Sequence, residues 1–296
     1  MHLSEVFKNN KITFSFEFFP PKNAAASEHL FSVMSDLIPL KPAWVSVTYG
    51  AGGATRELTH DLVLRIQRET ALTVVAHLTC MGLTIDEIRA TLDAYFKNGI
   101  VNIMALGGDP VPGATGPFSK PGSFTYASEL VAFIKKHFPA MGIGVAGYPE
   151  GHPKTPNRLK EIEYLKAKVD QGADFICTQL FFDNKDFYDF CERCELAGIK
   201  IPIIAGIMPI TSRKTMQRMA ETALGARYPG RLLRAFGRAE DDEHFEKVGI
   251  HWATEQVRDL IDNGVRGVHF YTLNRSRATL RIYDALGVTS SQGLSR

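Results

Sequence analysis

The chain has 296 residues, 45% of them hydrophobic, with 34 basic and 32 acidic side chains and a net charge of +2. No cluster of Lys or Arg stands out, which argues against a nucleic-acid or anionic-membrane partner. The N-terminus lacks the apolar run of a signal peptide, and no apolar run approaches the roughly 20 residues of a membrane helix. Four irregularly placed cysteines are too few for a disulfide framework. We therefore expect a cytoplasmic protein.

Short apolar runs of strand length recur along the whole chain, with amphipathic segments of helix length between them. The predicted strands are Thr13–Pro20, Trp44–Gly50, Thr73–Cys80, Asn102–Asp109, Gly142–Pro149, Phe175–Phe182, Pro202–Pro209 and Gly267–Leu273. The predicted helices include Asp86–Asn98, Ser128–Phe138, Arg158–Gln171, Asp186–Ala197 and Asp242–Asn263. Several of these helices are followed by a glycine, the usual residue just beyond a helix C-terminus.

This alternation predicts an α/β fold, because near-continuous apolar strands between helices are typical of a parallel sheet covered by helices. Eight units favour a closed (β/α)8 TIM barrel, and a doubly wound open sheet is the alternative. Because the sequence shows no repeat or linker, we expect a single domain over residues 1–296, with its barrel core at about 12–287.

Pro110–Ser123 is rich in Pro and Gly and lies between the fourth predicted strand and its helix. It is either a lid or cofactor clamp, or a plain surface loop.

Active sites of such barrels lie at the C-terminal ends of the strands, so polar residues there are the first candidates. Glu17 is the most informative, since it stands in the run Phe16-Glu17-Phe18-Phe19-Pro20. Glu is disfavoured in strands and rarely buried without a partner. An apolar setting favours the protonated form of a carboxylic acid, which suits a general acid. The alternative is a structural glutamate paired with an Arg or Lys.

Three further strand ends carry candidate side chains. Asp109 closes the fourth strand after two glycines that let a ligand approach the backbone closely, or it only caps a turn. Gln179 either contacts a heteroaromatic ring or carboxamide, or is a satisfied core glutamine. Tyr148–Pro153 forms a rigid loop that suits a shelf for a stacked ring, or equally a plain turn.

Three patterns look functional and are rejected. Gly142-Ile-Gly144-Val-Ala-Gly147 matches the dinucleotide fingerprint, but it lies within a strand, so we interpret it as close packing inside the barrel. Cys191-Glu-Arg-Cys194 falls in a predicted helix with no second pair, so we expect neither a zinc site nor a disulfide. Gly50–Thr55 is rich in Gly but lacks the Gly-Lys-Ser/Thr of a P-loop.

Seven motifs follow one another in order through all eight predicted strands. They are Phe16–Pro21, Val45–Ala51, Ala76–Cys80, Ala105–Pro110, Tyr148–Pro153, Thr178–Asp183 and His269–Arg275. Together, from about Phe14 to Arg275, they resemble the signatures of the methylenetetrahydrofolate reductase family. Any one motif alone is weak, whereas the ordered set is highly specific.

The resemblance implies a flavoprotein of one-carbon metabolism and methionine biosynthesis. Members reduce FAD with NADH or NADPH and then reduce 5,10-methylene-tetrahydrofolate to 5-methyl-tetrahydrofolate, in a ping-pong cycle. Glu17 would be the general acid that helps open the five-membered ring of the folate. Asp109 would lie near the flavin and the pterin, and Gln179 would contact folate and nicotinamide in turn.

The resemblance also implies the remaining site residues. The FAD contacts would be Thr48, His77, Asp109, Tyr126, Ala127, Tyr148, His152, Glu161 and Lys168. The substrate side would hold Glu17, Gln179, Met219, Tyr271 and Arg275. No metal is implied, we expect a homo-oligomer, and the preference between NADH and NADPH stays open. Because the chain stops after the barrel, we expect no C-terminal regulatory domain and no inhibition by S-adenosylmethionine.

One position departs from the family pattern. Many members read Ala-Leu-Arg-Gly-Asp, with the Arg near the FAD pyrophosphate, where this chain has Gly107. The phosphate charges would then be met by Lys168, by helix N-termini or by Arg residues from elsewhere. We therefore expect weaker FAD binding than in those members.

Two other functions stay open from the sequence alone. The first is a metal-dependent barrel hydrolase or lyase with His77, His152 and Asp109 as ligands, although the first strand has no His-x-His. The second is a non-catalytic folate-binding subunit that hands its ligand to a partner. The presence of Glu17, Asp109 and Gln179 argues against this second alternative.

Overall fold

The computed structural model describes residues 1–50, 56–108, 122–155, 157–223 and 225–294, and it contains a closed barrel of eight parallel strands. The strands are β1 (Thr13–Phe18), β2 (Trp44–Val47), β3 (Val74–Thr79), β4 (Asn102–Leu106), β5 (Gly142–Gly147), β6 (Phe175–Thr178), β7 (Ile203–Ile207) and β8 (Gly267–Tyr271). Each strand pairs with the next, and β8 pairs with β1. The predicted (β/α)8 barrel is confirmed, and the open-sheet alternative is wrong.

Helices surround the barrel and also close one end of it. They are α1 (Leu3–Asn9), α2 (Ala24–Leu37), α3 (Arg56–Glu69), α4 (Ile85–Lys97), α5 (Ala127–His137), α6 (Arg158–Asp170), α7 (Asn184–Leu196), α8 (Arg213–Thr222), α9 (Gly230–Gly237), α10 (Asp242–Asp262), α11 (Arg277–Ala285) and α12 (Ser291–Leu294). A short 3-10 helix, Ile38–Leu40, follows α2. None of the helices in the described ranges is long and apolar enough to span a membrane.

The observed helices match the predicted ones to within two residues, because their stop signals are strong. A glycine with positive φ follows α4, α6, α7 and α10 within two residues of the helix end, namely Gly99, Gly172, Gly198 and Gly264. The strands end two or more residues before the prolines that closed the predicted runs. Proline has no N–H for the ladder, so β1 ends at Phe18 and β7 at Ile207.

Alternation along the strands separates two apolar regions. Outward side chains such as Phe14, Phe16 and Phe18 belong to the cluster that packs against the surrounding helices. Trp44 and Phe175 belong to a second cluster that fills the floor of the barrel together with α1. That cluster consists of Leu3, Val6, Phe7, Trp44, Val75, Met104, Phe175, Cys177 and Ile204. The barrel therefore has an apolar floor at its N-terminal end.

The two rejected patterns that lie in the described residues have the structures predicted for them. A Cβ atom on Gly144 would lie 2.7 Å from Cε1 of Phe175, so the glycine pattern in β5 reflects close packing. Cys191 and Cys194 lie within α7 as free cysteines. Residues 51–55 of the third pattern and residues 110–121 of the proposed lid lie outside the described residues.

Gly249 gives a test of the packing of α10 against the end of the barrel. A Cβ atom there would overlap the carbonyl group of Ile210, lying 2.8 Å from its carbon atom. We expect Gly249→Ala to lower the free energy of unfolding by about 1–3 kcal/mol, although Ala is the better helix former. Urea unfolding followed by circular dichroism measures this.

The matched control is Gly237→Ala, at the last residue of α9. No atom lies within 4 Å of a Cβ built there. We expect this variant to be neutral or stabilising by less than about 1 kcal/mol. Equal destabilisation by both substitutions would contradict the packing argument.

Candidate active site

Glu17 lies in a polar layer inside the barrel, above the apolar floor. The Glu17 residue is 6% exposed. Its Oε2 atom lies 3.6 Å from Nε2 of His77 and 3.8 Å from Nε2 of His269. Within the described residues, no Arg or Lys lies within ion-pair distance of this carboxyl group. The alternative of a structural Arg–Glu or Lys–Glu pair finds no support here.

The surroundings of Glu17 differ from those that the sequence indicated. The neighbouring phenylalanines of β1, among them Phe16 and Phe18, face outward into the helix layer. Glu17 faces inward, where the side chains near it come from other strands and are polar. The expected shielding by its sequence neighbours is wrong, because adjacent residues of a strand point to opposite faces.

His77 lies on β3 against the same carboxyl oxygen. Its Nε2 atom is buried and has no hydrogen-bond partner in the part of the chain that the structure describes. Burial lowers the pKa of His77 to about 4, an effect that the nearby Glu17 charge partly opposes. The ring is therefore neutral near pH 7.

Tyr271 lies on β8, directly opposite Glu17 in the strand register. Its hydroxyl donates a hydrogen bond to the carbonyl oxygen of Thr178, at 2.5 Å. The ring fits because the neighbouring strand carries Gly206, where a Cβ atom would lie 2.7 Å from Cε2 of the tyrosine. Burial raises the pKa of Tyr271 well above its usual value, so the hydroxyl stays a proton donor.

The segment that follows β5 gathers four of the predicted FAD contacts. Tyr148 and His152 meet edge to face, with ring centroids 4.6 Å apart. The backbone N–H of His152 donates to the buried carboxylate of Glu161. Lys168 donates from Nζ to the carbonyl oxygen of Ala146 at 2.6 Å, and burial lowers the pKa of Lys168 to about 8.

The predicted substrate residues lie on the side of the barrel mouth that β6 and β8 form. Gln179 follows β6, and its Oε1 atom accepts a hydrogen bond from the N–H of Leu180 at 2.9 Å. Met219, on α8, packs against the same apolar cluster as Leu180 and Tyr271. Arg275 is exposed, and it lines a cavity of about 690 Å³ that Tyr271 also lines.

The other predicted contacts lie at the ends of strands or helices. Thr48 directly follows β2 and is half-buried, with its carbonyl oxygen accepting a hydrogen bond from Thr59. Tyr126 is 67% exposed at the N-cap of α5, and Ala127 begins that helix. Asp109 lies outside the described residues, so its predicted role stays a prediction.

His269 is the site residue to which the sequence analysis assigned no role. Its Nδ1 atom lies 2.7 Å from Oγ of Ser15, and its Nε2 atom lies 3.1 Å from Oγ of Ser46. The signal was present, since Ser15 stands two residues before Glu17 and His269 stands two before Tyr271. Residues two apart in a strand share a face.

No group of three His, Cys, Asp or Glu side chains that could hold a metal ion occurs in the part of the chain that the structure describes. Asp109, one of the three ligands in the metal-dependent alternative, lies outside that part.

The buried imidazole of His77 predicts a pH dependence of stability. The folded protein keeps the ring neutral down to about pH 4, whereas the unfolded chain takes up the proton near pH 6.5. The stability associated with this group is therefore complete above pH 6.5 and is lost as the pH falls to 4. We expect a loss on the order of 3 kcal/mol between these pH values, which His77→Gln removes.

Urea unfolding of both proteins at pH 7 and pH 4.5 measures this difference. His251→Gln, at an exposed position on α10, is the matched control and should keep the wild-type pH dependence. An identical pH dependence in His77→Gln and the wild type would show that the folded protein does not keep this ring neutral.

The comparisons with known proteins agree with the motif order. A sequence profile of the family described as methylenetetrahydrofolate reductase matches residues 2–287. The 5,10-methylenetetrahydrofolate reductase of Escherichia coli K12 is 39% identical over 287 residues, which cover 97% of this chain and 94% of that protein. Methylenetetrahydrofolate reductase (NADH) 1 of Arabidopsis thaliana is 38% identical over 99% of this chain, which spans about half of that plant protein, 51%.

Solved structures share the barrel at much lower identity. A Clostridium thermocellum protein, described as binding two copies of 5-methyl-5,6,7,8-tetrahydrofolic acid, aligns with a TM-score of 0.66 and 15% identity, over 96% of this chain and 98% of its own. That likeness shows the fold alone. The family follows from the sequence matches over nearly the whole chain: this protein belongs to the methylenetetrahydrofolate reductase family.

Proposed function

We propose that this protein reduces 5,10-methylene-tetrahydrofolate to 5-methyl-tetrahydrofolate, with FAD as cofactor, NADH or NADPH as reductant and Glu17 as the general acid. The observation that carries the proposal is the buried carboxyl group of Glu17, which faces two imidazoles and no cation in the described residues of a chain of this family. A positioned carboxylic acid is one of the usual general acids of enzymes.

The proposed reduction of the folate requires one proton at the substrate. When a carbon–nitrogen bond of the five-membered ring breaks, its electron pair goes to the departing nitrogen, which takes the proton of Glu17. An iminium remains on the other nitrogen and can accept a hydride. Glu17 is left as a carboxylate, and a positioned acid of this kind contributes about 10²–10⁴-fold to a rate.

The residues at the ends of β3, β4 and β5 fit a flavin. Among the described residues, the buried Nε2 atom of His77 has no hydrogen-bond partner and no atom lies within 4 Å of a Cβ built on Gly107, so an unpaired polar atom and open space occur side by side. Lys168 uses one of its three N–H donors on Ala146, which leaves two for oxygens of a bound cofactor. FAD, when bound, supplies the hydride transfer between nicotinamide and folate.

The proposed FAD contacts belong, in chain order, to β3 or to the segments that follow strands β2 to β5. They are Thr48, His77, Asp109, Tyr126, Ala127, Tyr148, His152, Glu161 and Lys168. The proposed substrate contacts are Glu17, Gln179, Met219, Tyr271 and Arg275. Arg275 makes no ion pair within the described ranges, so its guanidinium is available for a carboxylate of the folate tail.

In a ping-pong cycle, the nicotinamide and the folate use the same site one after the other. Gln179 offers an amide group at the mouth, and the same amide suits the carboxamide of a nicotinamide and the ring edge of a pterin. The homo-oligomer, the cytoplasmic location and the extent of the single domain stay predictions.

Glu17→Gln separates the two half-reactions. We expect the reduction of folate by the reduced flavoprotein to fall by about 10²–10⁴-fold, since the amide has no acidic proton to give. Reduction of the flavin by NADH or NADPH should stay within about threefold of wild type, because that step needs no proton from Glu17. Stopped-flow absorbance of the flavin follows both steps.

Glu192→Gln, at an exposed position on α7, is the control and should leave both half-reactions unchanged. An equal loss of both steps in Glu17→Gln would contradict the assigned role. A protein that binds no flavin after incubation with excess FAD would overturn the proposed function as a whole.

Gly107→Arg tests the departure from the family pattern. Its backbone has no positive φ, and no atom of the described residues lies within 4 Å of a Cβ built there, so an Arg side chain can be placed without overlap with those residues at Cβ. We expect FAD to bind about tenfold more tightly, because a guanidinium forms charge-assisted hydrogen bonds with a pyrophosphate. Titration of the apoprotein, followed by quenching of flavin fluorescence, measures the affinity.

The neighbouring glycine provides the control for that substitution. Gly108 has φ of 92°, and a Cβ atom there would lie 3.0 Å from Cβ of Thr79. We expect Gly108→Arg to weaken FAD binding and to destabilise the fold. Unchanged or weaker affinity in Gly107→Arg would show that the cofactor phosphates lie elsewhere.

A further inference from the structure

His269 is fixed in one orientation inside the barrel. It is 1% exposed, and its ring lies flat on the indole of Trp44, with centroids 4.5 Å apart and planes 12° apart. The ring of Tyr271 meets its edge at 5.5 Å and 81°. The ring plane is therefore held from two sides, and its two nitrogens have fixed directions.

The hydrogen bonds of His269 indicate which nitrogen carries the proton. Oγ of Ser15 lies 2.7 Å from Nδ1, but 3.4 Å from the carbonyl oxygen of Val268. A serine hydroxyl has one proton, and the nearer acceptor is Nδ1. If Ser15 donates there, the hydrogen of the neutral imidazole is on Nε2, which faces Oγ of Ser46 at 3.1 Å and Oε2 of Glu17 at 3.8 Å.

We propose that His269 is a positioning residue for Glu17: the N–H group at Nε2, which bonds Oγ of Ser46 at 3.1 Å and lies 3.8 Å from Oε2, stabilises through its dipole the carboxylate that remains after Glu17 has given its proton to the folate. The role rests on the proposed function and adds a residue to the same site. No further proton is transferred, since Glu17 alone loses a proton, to the departing nitrogen of the substrate. Ser15, Trp44 and Ser46 keep the imidazole in place.

His77 lies as close to Glu17 as His269 does. Its Nε2 atom is 3.6 Å from Oε2, but this atom has no hydrogen-bond partner among the described residues. A group that orients an imidazole from its second nitrogen fixes both its tautomer and its direction, as Ser15 does for His269. The structure therefore assigns the positioning role to His269 and leaves His77 for the flavin side.

Other titratable groups also face Glu17 within the described residues. They are His77 on β3, Cys177 on β6 and Tyr271 on β8. Burial lowers the pKa of His77 to about 4 and raises the pKa of the Cys177 thiol and of the Tyr271 hydroxyl. All three groups are neutral near pH 7, so none of them places a charge beside the carboxyl group of Glu17.

The kinetic experiment compares wild type, His269→Leu and His269→Gln in the folate half-reaction at pH 7. We expect His269→Leu to be about 10–100-fold slower, because the product carboxylate has lost the nearby N–H dipole. His269→Gln keeps an N–H and should recover most of the rate.

Two measurements separate positioning from a purely structural role. Flavin content and flavin reduction by the nicotinamide should stay within about threefold of wild type in both variants. Ser15→Ala, which removes only the group behind the imidazole, should slow folate reduction by less than His269→Leu does. Equal losses in both half-reactions or no rescue by Gln would overturn the proposal.

NMR of protein with ¹⁵N-labelled histidine tests the tautomer without any catalytic step. The resonances of His269 are assigned by their loss in His269→Gln, and we expect a hydrogen on Nε2 and none on Nδ1. A hydrogen on Nδ1 in a wild type that reduces folate would overturn this inference alone. A wild type that binds FAD but leaves methylene-tetrahydrofolate unreduced would overturn the proposed function, and this role with it.

Discussion

The site depends on a carboxyl group that lies inside a closed barrel without a cation beside it in the described residues. A buried carboxylate normally requires an Arg, a Lys or a metal ion, because its desolvation is costly. Glu17 instead faces the imidazoles of His77 and His269. An imidazole, unlike a guanidinium or ammonium group, is not a permanent cation. The proposed proton donation by Glu17 depends on this choice of neighbours.

The apolar floor closes the polar layer on its N-terminal side. The side chains of α1 pack with Trp44 and Phe175, and the N–H of Leu3 is bonded to Asn102 at 2.9 Å, so the N-terminal end of the barrel is filled. Reagents therefore reach Glu17 from the C-terminal mouth, where strand ends supply the candidate contacts. The same Trp44 also stacks on His269, so one side chain belongs to the floor and orients a residue of the polar layer.

Local signals predicted the fold closely, whereas contacts between distant strands could not be read from the sequence. Apolar runs, prolines and glycine stops identified eight strands and their helices, and the ordered motifs identified Glu17. The surroundings of Glu17 were missed, since the neighbouring phenylalanines face outward and the partners come from β3 and β8. The bond from Ser15 to His269 joins residues 254 positions apart. Gly206 leaves room for the ring of Tyr271, which lies against it from the neighbouring strand.

The mouth of the barrel separates two tasks. Glu17, His269 and Tyr271 lie on the neighbouring strands β1 and β8, so proton donation and its support occupy one arc of the barrel. The proposed anchors of the cofactor, such as Lys168, follow β5 on the opposite arc. Gly107, where the resemblance implies an Arg, therefore lies on an arc that does not contain the acid, and the proposed cofactor affinity can vary while the geometry around Glu17 is kept. This separation is how the chain can lack that Arg and still have the polar layer on which the proposed reduction of folate depends.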